Sequence, residues 1–280
     1  MGTYFAIVTC RNSELTIEKA IYSLHNQSVK PQYIITIDDG STDQTPRILD
    51  HLKTEIKNLF IITNPDLGYD VTRIVKNWNK ALRFLVDNQL DVSDYHMIAT
   101  DDTIYETDYA KKIISIMDNN PDLAIASGSY SNYGYEKPHG AGRFVRNSFF
   151  RKVHEYYPEK MGYESVVLIT AQKNGMNYAI VRDAIFEHTR QLGQDHHFYE
   201  FGASMRTLGY HPIFALGRFA NYFISGKPIG RLGAIYMFYH YIFYKPKNTG
   251  YDSMYPIDIR LYLRKKQLER IKSLFRFRNK

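Results

Sequence analysis

The stretch Ile34–Asp43, which reads IITIDDGSTD, is the part of the chain that most clearly indicates its fold. A β-branched apolar run ends in two carboxylates, Asp38 and Asp39, which are followed by Gly40 and small polar residues. Apolar residues at helical spacing come next and predict a helix. The two carboxylates are therefore predicted at the carboxyl end of a buried strand, where open α/β sheets bind ligands. The alternative is a turn whose polar side chains only cap that helix.

Strand and helix patterns alternate through the first half of the chain, which predicts an α/β fold with a mainly parallel sheet flanked by helices. The predicted strands are Tyr4–Thr9, Tyr33–Asp38, Leu59–Thr63, Tyr95–Thr100 and Leu123–Ser127. The segment Gly128–Lys160 is rich in Gly, Tyr, Ser and Asn and is predicted to be irregular. Beyond it we expect a helix over Glu164–Lys173 and two strands, Tyr178–Val181 and Ile185–His188.

The charge of the chain is concentrated near its carboxyl end. Residues 260–280 hold nine Lys or Arg and one acidic residue, whereas the other residues hold 27 basic and 28 acidic ones. The body therefore lacks the positive excess of nucleic-acid-binding proteins, so nucleic acid is an unlikely partner. The single cysteine, Cys10, excludes an internal disulfide framework, and no signal-peptide pattern begins the chain. These features predict a cytoplasmic protein.

Two motifs together carry a resemblance to a known family. The block Ile7–Gln27, IVTCRNSELTIEKAIYSLHNQ, followed by IDDGSTD, closely resembles the start of family 2 glycosyltransferases, and the likeness extends loosely to about Phe223. The resemblance implies the GT-A (Rossmann-like) fold and inverting transfer of a sugar from a UDP- or GDP-sugar. It implies a domain over residues 1–225, with a nucleotide-binding half of about 1–127 and an acceptor half of about 128–225. Residues 226–280 then form a helical extension.

The resemblance also assigns residues to the donor nucleotide sugar. Carboxylates suit this role because base imides and ribose hydroxyls donate hydrogen bonds. For Arg73 and Asn79, which lie on a predicted helix, the alternative is a solvated helix face. The assigned residues are Thr9, Arg11, Glu14, Asp38, Asp39, Asp101, Arg73 and Asn79.

A second acid pair, Asp101 and Asp102, ends another apolar strand. A divalent cation, Mn²⁺ or Mg²⁺, bound by carboxylates could neutralise a diphosphate leaving group. The resembled family has an Asp-x-Asp element here. Asp102 matches its second Asp, Thr100 replaces the first, and Asp101 is a further contributor. His188 resembles the position that completes the metal shell in the family. An N-cap for the next helix is the alternative for the pair.

The general base is predicted at the start of a late helix. Inverting transfer needs a carboxylate that takes the proton of the acceptor hydroxyl. The family usually supplies it from a Glu-Asp element, and here Glu164 matches the Glu while Ser165 replaces the Asp. Asp195, in the sequence QDHHF, is the rival candidate. Glu164 could instead be an ordinary first-turn glutamate that the helix dipole favours.

The carboxyl-terminal extension predicts contact with a membrane. Leu232–Tyr244 is an aromatic run of 13 residues, too short to span a bilayer, and Tyr262–Phe277 predicts a basic amphipathic helix. Together they predict peripheral attachment to an anionic membrane surface at its cytoplasmic face, with a glycan or a lipid-linked acceptor. The alternative is a basic helix that packs on the protein's own body or binds nucleic acid.

Two other function classes remain open on the sequence. One is a different nucleotide enzyme, such as a nucleotidyltransferase or dehydrogenase, but no G-x-G-x-x-G follows the first strand and no P-loop occurs. The other is a non-catalytic module that binds a nucleotide sugar or nucleic acid through a degenerate site. Thr100 and Ser165, which stand where the family has Asp, would fit that class.

Overall fold

A sheet of eight strands occupies the first part of the computed structural model, which describes residues 1–90, 93–130, 137–190 and 198–277, with side chains in the last helix described as far as Ser273. The strands are β1 (Tyr4–Cys10), β2 (Ile34–Asp38), β3 (Leu59–Thr63), β4 (Tyr95–Thr100), β5 (Thr103–Tyr105), β6 (Leu123–Tyr130), β7 (Arg143–Arg146) and β8 (Asn177–His188). Their spatial order is β3-β2-β1-β4-β7-β6-β8-β5.

The strands β3, β2, β1 and β4 run parallel, as do β6 and β8. β7 is antiparallel to both of its neighbours, and β5 is antiparallel to β8. The β1 run is buried almost without a break, as expected of a parallel strand with helices on both faces. The predicted α/β fold with a mainly parallel sheet is therefore confirmed.

Five helices connect the strands in this part of the structure. They bury apolar faces at helical spacing, as α1 does with Ile17, Ala20, Ile21 and Leu24. The helices are α1 (Ile17–His25), α2 (Thr45–Glu55), α3 (Arg73–Asp87), α4 (Tyr109–Asn119) and α5 (Asn147–Val153).

Two expectations about secondary structure in this part of the chain were wrong, and one short strand was missed. The segment Gly128–Lys160 is not irregular throughout, since it contains β7 and α5. Its short strand was missed because Arg143 is buried, with its guanidinium donating to the carbonyls of Pro138 and His139. The two strands predicted after residue 177 are one strand, β8. The three-residue β5 was not predicted at all.

The chain divides into two compact units. The first comprises Met1–Pro158 and Asn174–Arg190 and holds the whole sheet; the second comprises Glu159–Lys173 and Gln191–Lys280. The second unit contains α6 (Tyr163–Lys173), α7 (Tyr199–Thr207), α8 (Pro212–Ser225), α9 (Gly230–Phe243) and α10 (Ile257–Phe277). The division into 1–225 and 226–280 that the sequence suggests stays a prediction.

Within the second unit, α9 packs against both α7 and α8. The approach of α7 and α9 is close, because a Cβ added at Gly202 would lie 2.2 Å from the carbonyl oxygen of Met237. The basic helix begins at Ile257, earlier than predicted, and buries Leu263 and Gln267 against its own unit. This part of the helix therefore follows the alternative in which it packs on the protein's own body. Among the described helices, none is long and apolar enough to cross a bilayer.

Candidate active site

The ends of three neighbouring strands bring the two acid pairs to one edge of the sheet. Cys10 at the end of β1 lies opposite Asp38 at the end of β2, and Thr9 lies opposite Thr100 at the end of β4. Because parallel strands end on the same side, the residues that follow them lie on a common edge. The predicted position of both acid pairs at strand ends is confirmed.

Asp39 is held by a network of charged and amide groups. Arg73 Nε, at the start of α3, lies 2.9 Å and 3.2 Å from the two carboxylate oxygens. Asn64 Nδ2 donates to Asp39 Oδ1 at 3.0 Å, and Asn64 Oδ1 accepts from Lys80 at 2.5 Å. Asn64 and Lys80 were missed in the sequence. Asn64 follows β3 directly, so the strand-end argument could have found it.

Asp38 organises the turn that follows β2. Its Oδ1 accepts hydrogen bonds from the backbone N–H of Ser41 at 3.0 Å and from its hydroxyl at 2.6 Å. Within the described residues, Asp38 Oδ2 and Thr9 Oγ1 are buried without a hydrogen-bond partner. A buried polar atom without a partner costs free energy, so a ligand or water that bonds to these oxygens would be favoured.

Arg11 fixes the backbone of this turn. Its Nη1 donates to the carbonyl oxygens of Asp39 and Gly40 at 2.5 Å and 2.7 Å, and its Nη2 donates to Asp66 at 2.7 Å. The hydrogen bond from Arg11 is the main cause that lowers the pKa of Asp66. Gly40 has a φ of +73°, and a Cβ there would lie 2.6 Å from the Cα of Asp66. The turn therefore requires glycine at residue 40.

Glu14 and Asp43 bind backbone groups across two neighbouring loops. Glu14 Oε2 accepts from the N–H of Gln44 at 2.9 Å, and Asp43 Oδ2 accepts from the N–H of Glu14 at 3.1 Å. Asp43 Oδ1 also accepts from the N–H of Thr45, at the start of α2. The capping role that the sequence left open thus applies to Asp43. Glu14 holds the β1–α1 loop to the β2–α2 loop.

Asp101 lies between a hydroxyl and a guanidinium. Its Oδ2 accepts a hydrogen bond from Ser13 and lies 3.7 Å from Arg190 Nη1. Burial, followed by the charge of Asp102, raises the pKa of Asp101, although Ser13 and Arg190 oppose that rise. Neither Ser13 nor Arg190 was singled out in the sequence, because each is a single polar residue in a loop.

Asp102 is oriented by two threonines and His188. Its Oδ1 accepts from Thr100 at 2.9 Å and lies 3.5 Å from His188 Nδ1, which also contacts Thr103 at 2.9 Å. Burial alone would raise the pKa of Asp102, but hydrogen bonds from His188 and Thr100 lower it. The N-cap alternative is wrong for this pair, because β5 follows Asp102 and the next helix begins only at Tyr109.

Asp102 and His188 are the pair that the sequence predicts as cation ligands. The His188 nitrogen beside Asp102 is Nδ1, whereas Nε2, on the other side of the ring, is buried without a hydrogen-bond partner among the described residues. Across the described part of the chain, no three His, Cys, Asp or Glu side chains are grouped closely enough to hold a metal ion by themselves. A cation here would need phosphate oxygens or water to complete its shell, as Mg²⁺ commonly does.

A second histidine, missed in the sequence, packs beside this pair. The ring centroid of His139 lies 5.3 Å from that of His188 and 5.4 Å from that of Phe186. Burial, with a smaller contribution from His188, lowers the pKa of His139 to about 3. His139 is therefore neutral at physiological pH.

Asn79 is not brought to the carboxylates. Its side chain is buried, where it donates to the carbonyl of Tyr157 and accepts from the N–H of Tyr157, both at 2.8 Å. The hydroxyl of Tyr157 lies 2.7 Å from His96, whose pKa is lowered to about 4 by burial. The solvated-face alternative is wrong for Asn79. Its role near the donor stays a prediction that these contacts do not favour.

Cys10 lies beneath the same edge. Its side chain is buried, and Sγ lies 3.6 Å from the carbonyl oxygen of Ile37. Burial raises the pKa of the thiol well above its usual value, and the charges of Asp101 and Asp38 raise it further. The thiol is therefore protonated at physiological pH.

The second unit holds the predicted general base. Glu164 lies in the first turn of α6, and Glu200 lies in the first turn of α7. The end of α7 contacts the residues just before α6, since Thr207 Oγ1 donates to the carbonyl of Met161 at 3.1 Å. Burial, together with the charge of Glu164, raises the pKa of Glu200 to about 7. Asp195 lies outside the described residues.

A family model and a curated relative both indicate a glycosyltransferase. The sequence model of the family described as Glycosyl transferase family 2 matches residues 5–183. A curated relative, "Putative glycosyltransferase TagX" of Staphylococcus aureus (strain MRSA252), is 27% identical over 144 residues, which are 51% of this chain and 38% of the relative. The match thus spans well under half the length of that relative.

Solved structures share the fold. S. aureus TarS 1-349 in complex with UDP is 18% identical with a TM-score of 0.54, over 73% of this chain and 63% of that one. The mannosyltransferase PcManGT from Pyrobaculum calidifontis, in complex with GDP-Man and Mn²⁺, is 14% identical with a TM-score of 0.59, over 86% and 70%. The GT-A-like fold that the sequence resemblance implies is confirmed.

Proposed function

Because the chain belongs to glycosyl transferase family 2, we propose that it transfers a sugar, with inversion, from a nucleotide-diphosphate donor to an acceptor hydroxyl. The observation that carries this proposal is the meeting of the two acid pairs, Arg73 and His188 at one edge of the sheet. UDP- and GDP-sugars are the proposed donors, since related folds hold UDP, UDP-GlcNAc and GDP-Man.

The nucleotide is proposed to bind at the ends of β1 and β2. Asp39 is the best-placed acceptor for a base N–H or a ribose hydroxyl, because Arg73 and Asn64 already hold its carboxylate in one orientation. The contacts of Arg11 and Glu14 with loop backbones suggest that these two residues shape the pocket. Thr9 and Asp38 would contribute buried oxygens that lack a partner in the described structure.

Asp102 and His188 are the proposed ligands of a divalent cation, Mn²⁺ or Mg²⁺. A bound cation neutralises the charge that develops on a departing diphosphate. Thr100, in place of the first acidic residue of the family element, directs Oδ1 of Asp102 through its hydroxyl. Arg190, whose side chain is 45% exposed, offers a further positive charge beside Asp101 for the phosphate oxygens.

The general base stays a proposal with two candidates, Glu164 and Asp195. A base works best when its pKa lies near the operating pH. Burial, and after it the charge of Glu164, raises the pKa of Glu200 to about 7, so Glu200 can exchange a proton near neutral pH. The acceptor is proposed to be a glycan or a lipid-linked molecule, used at the cytoplasmic face of a membrane.

Thermal unfolding with a donor panel tests this proposal. Purified protein is heated with UDP, GDP, UDP-GlcNAc or GDP-mannose, each with and without Mn²⁺, and release of the free nucleotide is followed in parallel. We expect one nucleotide family to raise the melting temperature, more strongly with Mn²⁺, together with slow hydrolysis of the donor. Stabilisation without any hydrolysis or transfer would favour the non-catalytic binding module. No stabilisation by any nucleotide would contradict both.

A further inference from the structure

Helix α9 is apolar on two opposite faces, and within the described residues one of them is buried while the other is largely exposed. Gly233, Ala234, Met237 and Tyr241 are buried where α9 packs on α7 and α8. The opposite face carries six large apolar or aromatic side chains that are between 40% and 70% exposed. They recur every three to four residues and so form one continuous stripe along the helix. They are Leu232, Ile235, Tyr236, Tyr239, Ile242 and Phe243.

Helix α8 repeats this arrangement. Its inner side buries Ala215, whereas four large apolar side chains are between 41% and 76% exposed. These four are Ile213, Leu216, Phe223 and Ile224. Together with the six of α9, they are called here the α8–α9 outer face.

The two stripes face the same side of the unit. The short connection between the helices and the stacking of Phe219 on Phe238, with ring centroids 4.8 Å apart, show that α8 and α9 are antiparallel neighbours. At about 100° per residue, each phenylalanine lies about 100° from the centre of its own stripe, in the same rotational sense. For antiparallel neighbours, this places both stripes on one surface.

The charge of this region has a single sign. Residues 201–251 contain six Lys or Arg and no Asp or Glu. Lys227 and Arg231, near the connection between the helices, and Lys245, beyond the end of α9, are exposed. Long basic side chains at the ends of an apolar surface can reach lipid headgroups while their stems lie along apolar groups.

We propose that the α8–α9 outer face docks onto an anionic phospholipid bilayer, with both helices lying in the headgroup plane. Exposed apolar and aromatic side chains would enter the interface, and the basic residues would contact anionic headgroups. A second copy of the chain fits less well, because two surfaces of the same charge would meet. The proposal does not depend on the proposed transfer reaction. It keeps the contact that the sequence predicts for α9, adds α8, and leaves out α10, which buries Leu263 and Gln267 within its own unit.

Vesicle sedimentation tests the proposal. Wild-type protein should pellet with vesicles that contain phosphatidylglycerol, much less with pure phosphatidylcholine, and less again in 0.5 M salt. The double substitution Ile235→Glu and Tyr239→Glu should lower the partition coefficient at least tenfold. Val86→Glu is the matched control, since Val86 is 50% exposed on α3 in the other unit, and should bind as wild type does.

A second variant and a second measurement keep the test decisive. Lys227→Glu with Arg231→Glu leaves the apolar stripes intact and should remove most of the preference for anionic vesicles. Equal pelleting of all variants, or none by wild type, would overturn the proposal. So would a dimer of wild type, seen by sedimentation velocity without vesicles, that becomes monomeric in the Ile235→Glu, Tyr239→Glu variant. Thermal stabilisation by nucleotides should be the same in every variant, which separates this test from that of the transfer reaction.

Discussion

The two compact units expose opposite kinds of group. At the sheet edge of the first unit, the carboxylates of Asp39, Asp101 and Asp102 are held by hydroxyl, amide, imidazole or guanidinium groups. In the second unit, the α8–α9 outer face leaves ten large apolar side chains in contact with water. One surface has its polar groups arranged in advance, and the other has apolar side chains that are 40% or more exposed.

This difference indicates how each surface is expected to work. Holding buried charges in place costs desolvation free energy, which is recovered only if neighbouring groups bind them well. Such a network gives fixed positions, as a site for a charged ligand requires. Exposed apolar side chains gain free energy at roughly 25 cal/mol per Å² when they are covered, without fixed geometry. The polar edge therefore suits a specific ligand, and the outer face suits a fluid surface.

The substitution Asp102→Ala should have the largest effect, and it tests whether the polar edge of the first unit carries the reaction. Turnover should fall by on the order of 10³-fold or more, because the proposed cation that Asp102 holds against the leaving diphosphate contributes several kcal/mol at the transition state. Sugar transfer or donor hydrolysis with Mn²⁺ measures this, and circular dichroism checks the fold. Asp50→Ala, at an exposed position of α2, is the control. Wild-type turnover and metal dependence in Asp102→Ala would remove this residue from the cation site.

Substitution of Glu164 by Gln asks whether a polar group of the second unit acts in the chemical step. Loss of a general base lowers kcat by roughly 10²- to 10⁴-fold and leaves donor binding nearly unchanged. Asp195→Asn is made in parallel, and turnover and nucleotide affinity are measured separately for each. An inactive Asp195→Asn beside an active Glu164→Gln would assign the base to Asp195.

The rigidity of the polar edge can be measured with Gly40→Ala. The variant should lose about 2 kcal/mol or more of unfolding free energy, since the new Cβ meets the backbone of Asp66 and the positive φ is strained. Gly68→Ala is a matched control, because Gly68 has a φ of +74° but nothing within 4 Å of the added Cβ. Urea denaturation compares the two. Equal losses would mean that the backbone contact at Gly40 contributes nothing.

The last prediction concerns the pH dependence of stability and the carboxyl group of Glu200 in the second unit, where burial and the charge of Glu164 disfavour the ionised form. Its pKa rises from 4.5 to about 7, so the folded state holds this proton more tightly than the unfolded state does. The contribution of Glu200 to stability should therefore be largest below about pH 4.5, fall between pH 4.5 and 7 by at most about 1.4 kcal/mol per pH unit, and level off above pH 7.

Glu200→Gln removes this titration. The variant should match wild type near pH 4.5 and be more stable at pH 8, by on the order of 1–3 kcal/mol. Urea denaturation at the two pH values measures the difference, with Glu187→Gln as an exposed control. A variant that is less stable than wild type at pH 8 would show that the ionised carboxylate is stabilised by groups in the unit.

The first unit was predictable from sequence where local pattern and sheet geometry agree. The alternation of strands and helices up to residue 127 follows from the spacing of apolar residues, which repeat about every two residues in strands and every 3.6 in helices. The polar and glycine residues after each apolar run then place Asp38 and Asp102 at strand ends. The partners of these carboxylates were less accessible. Ser13 and Arg190 reach Asp101 across loops that are far apart in the chain, and no local pattern encodes such contacts.

The second unit was harder to predict for a different reason. Helix α9 is apolar all round, so its sequence does not say which face packs inside, and Gly202 decides this from another helix by allowing close approach. Tyr262–Phe277 read as an amphipathic helix for a membrane, but Leu263 and Gln267 pack within the unit. Strand β7 was missed because it begins with Arg143, and arginine is rarely fully buried.

Chemical labelling of the buried Cys10 thiol can report on local opening of the sheet edge that carries the site. The chain has one cysteine, and in the folded state its sulfur is both shielded and protonated, so iodoacetamide should modify it only when the ends of β1 and β2 separate. The labelling rate then reports the frequency of that local opening. A nucleotide that binds across these strand ends should slow alkylation in proportion to its occupancy, and mass spectrometry can follow this without any knowledge of the acceptor.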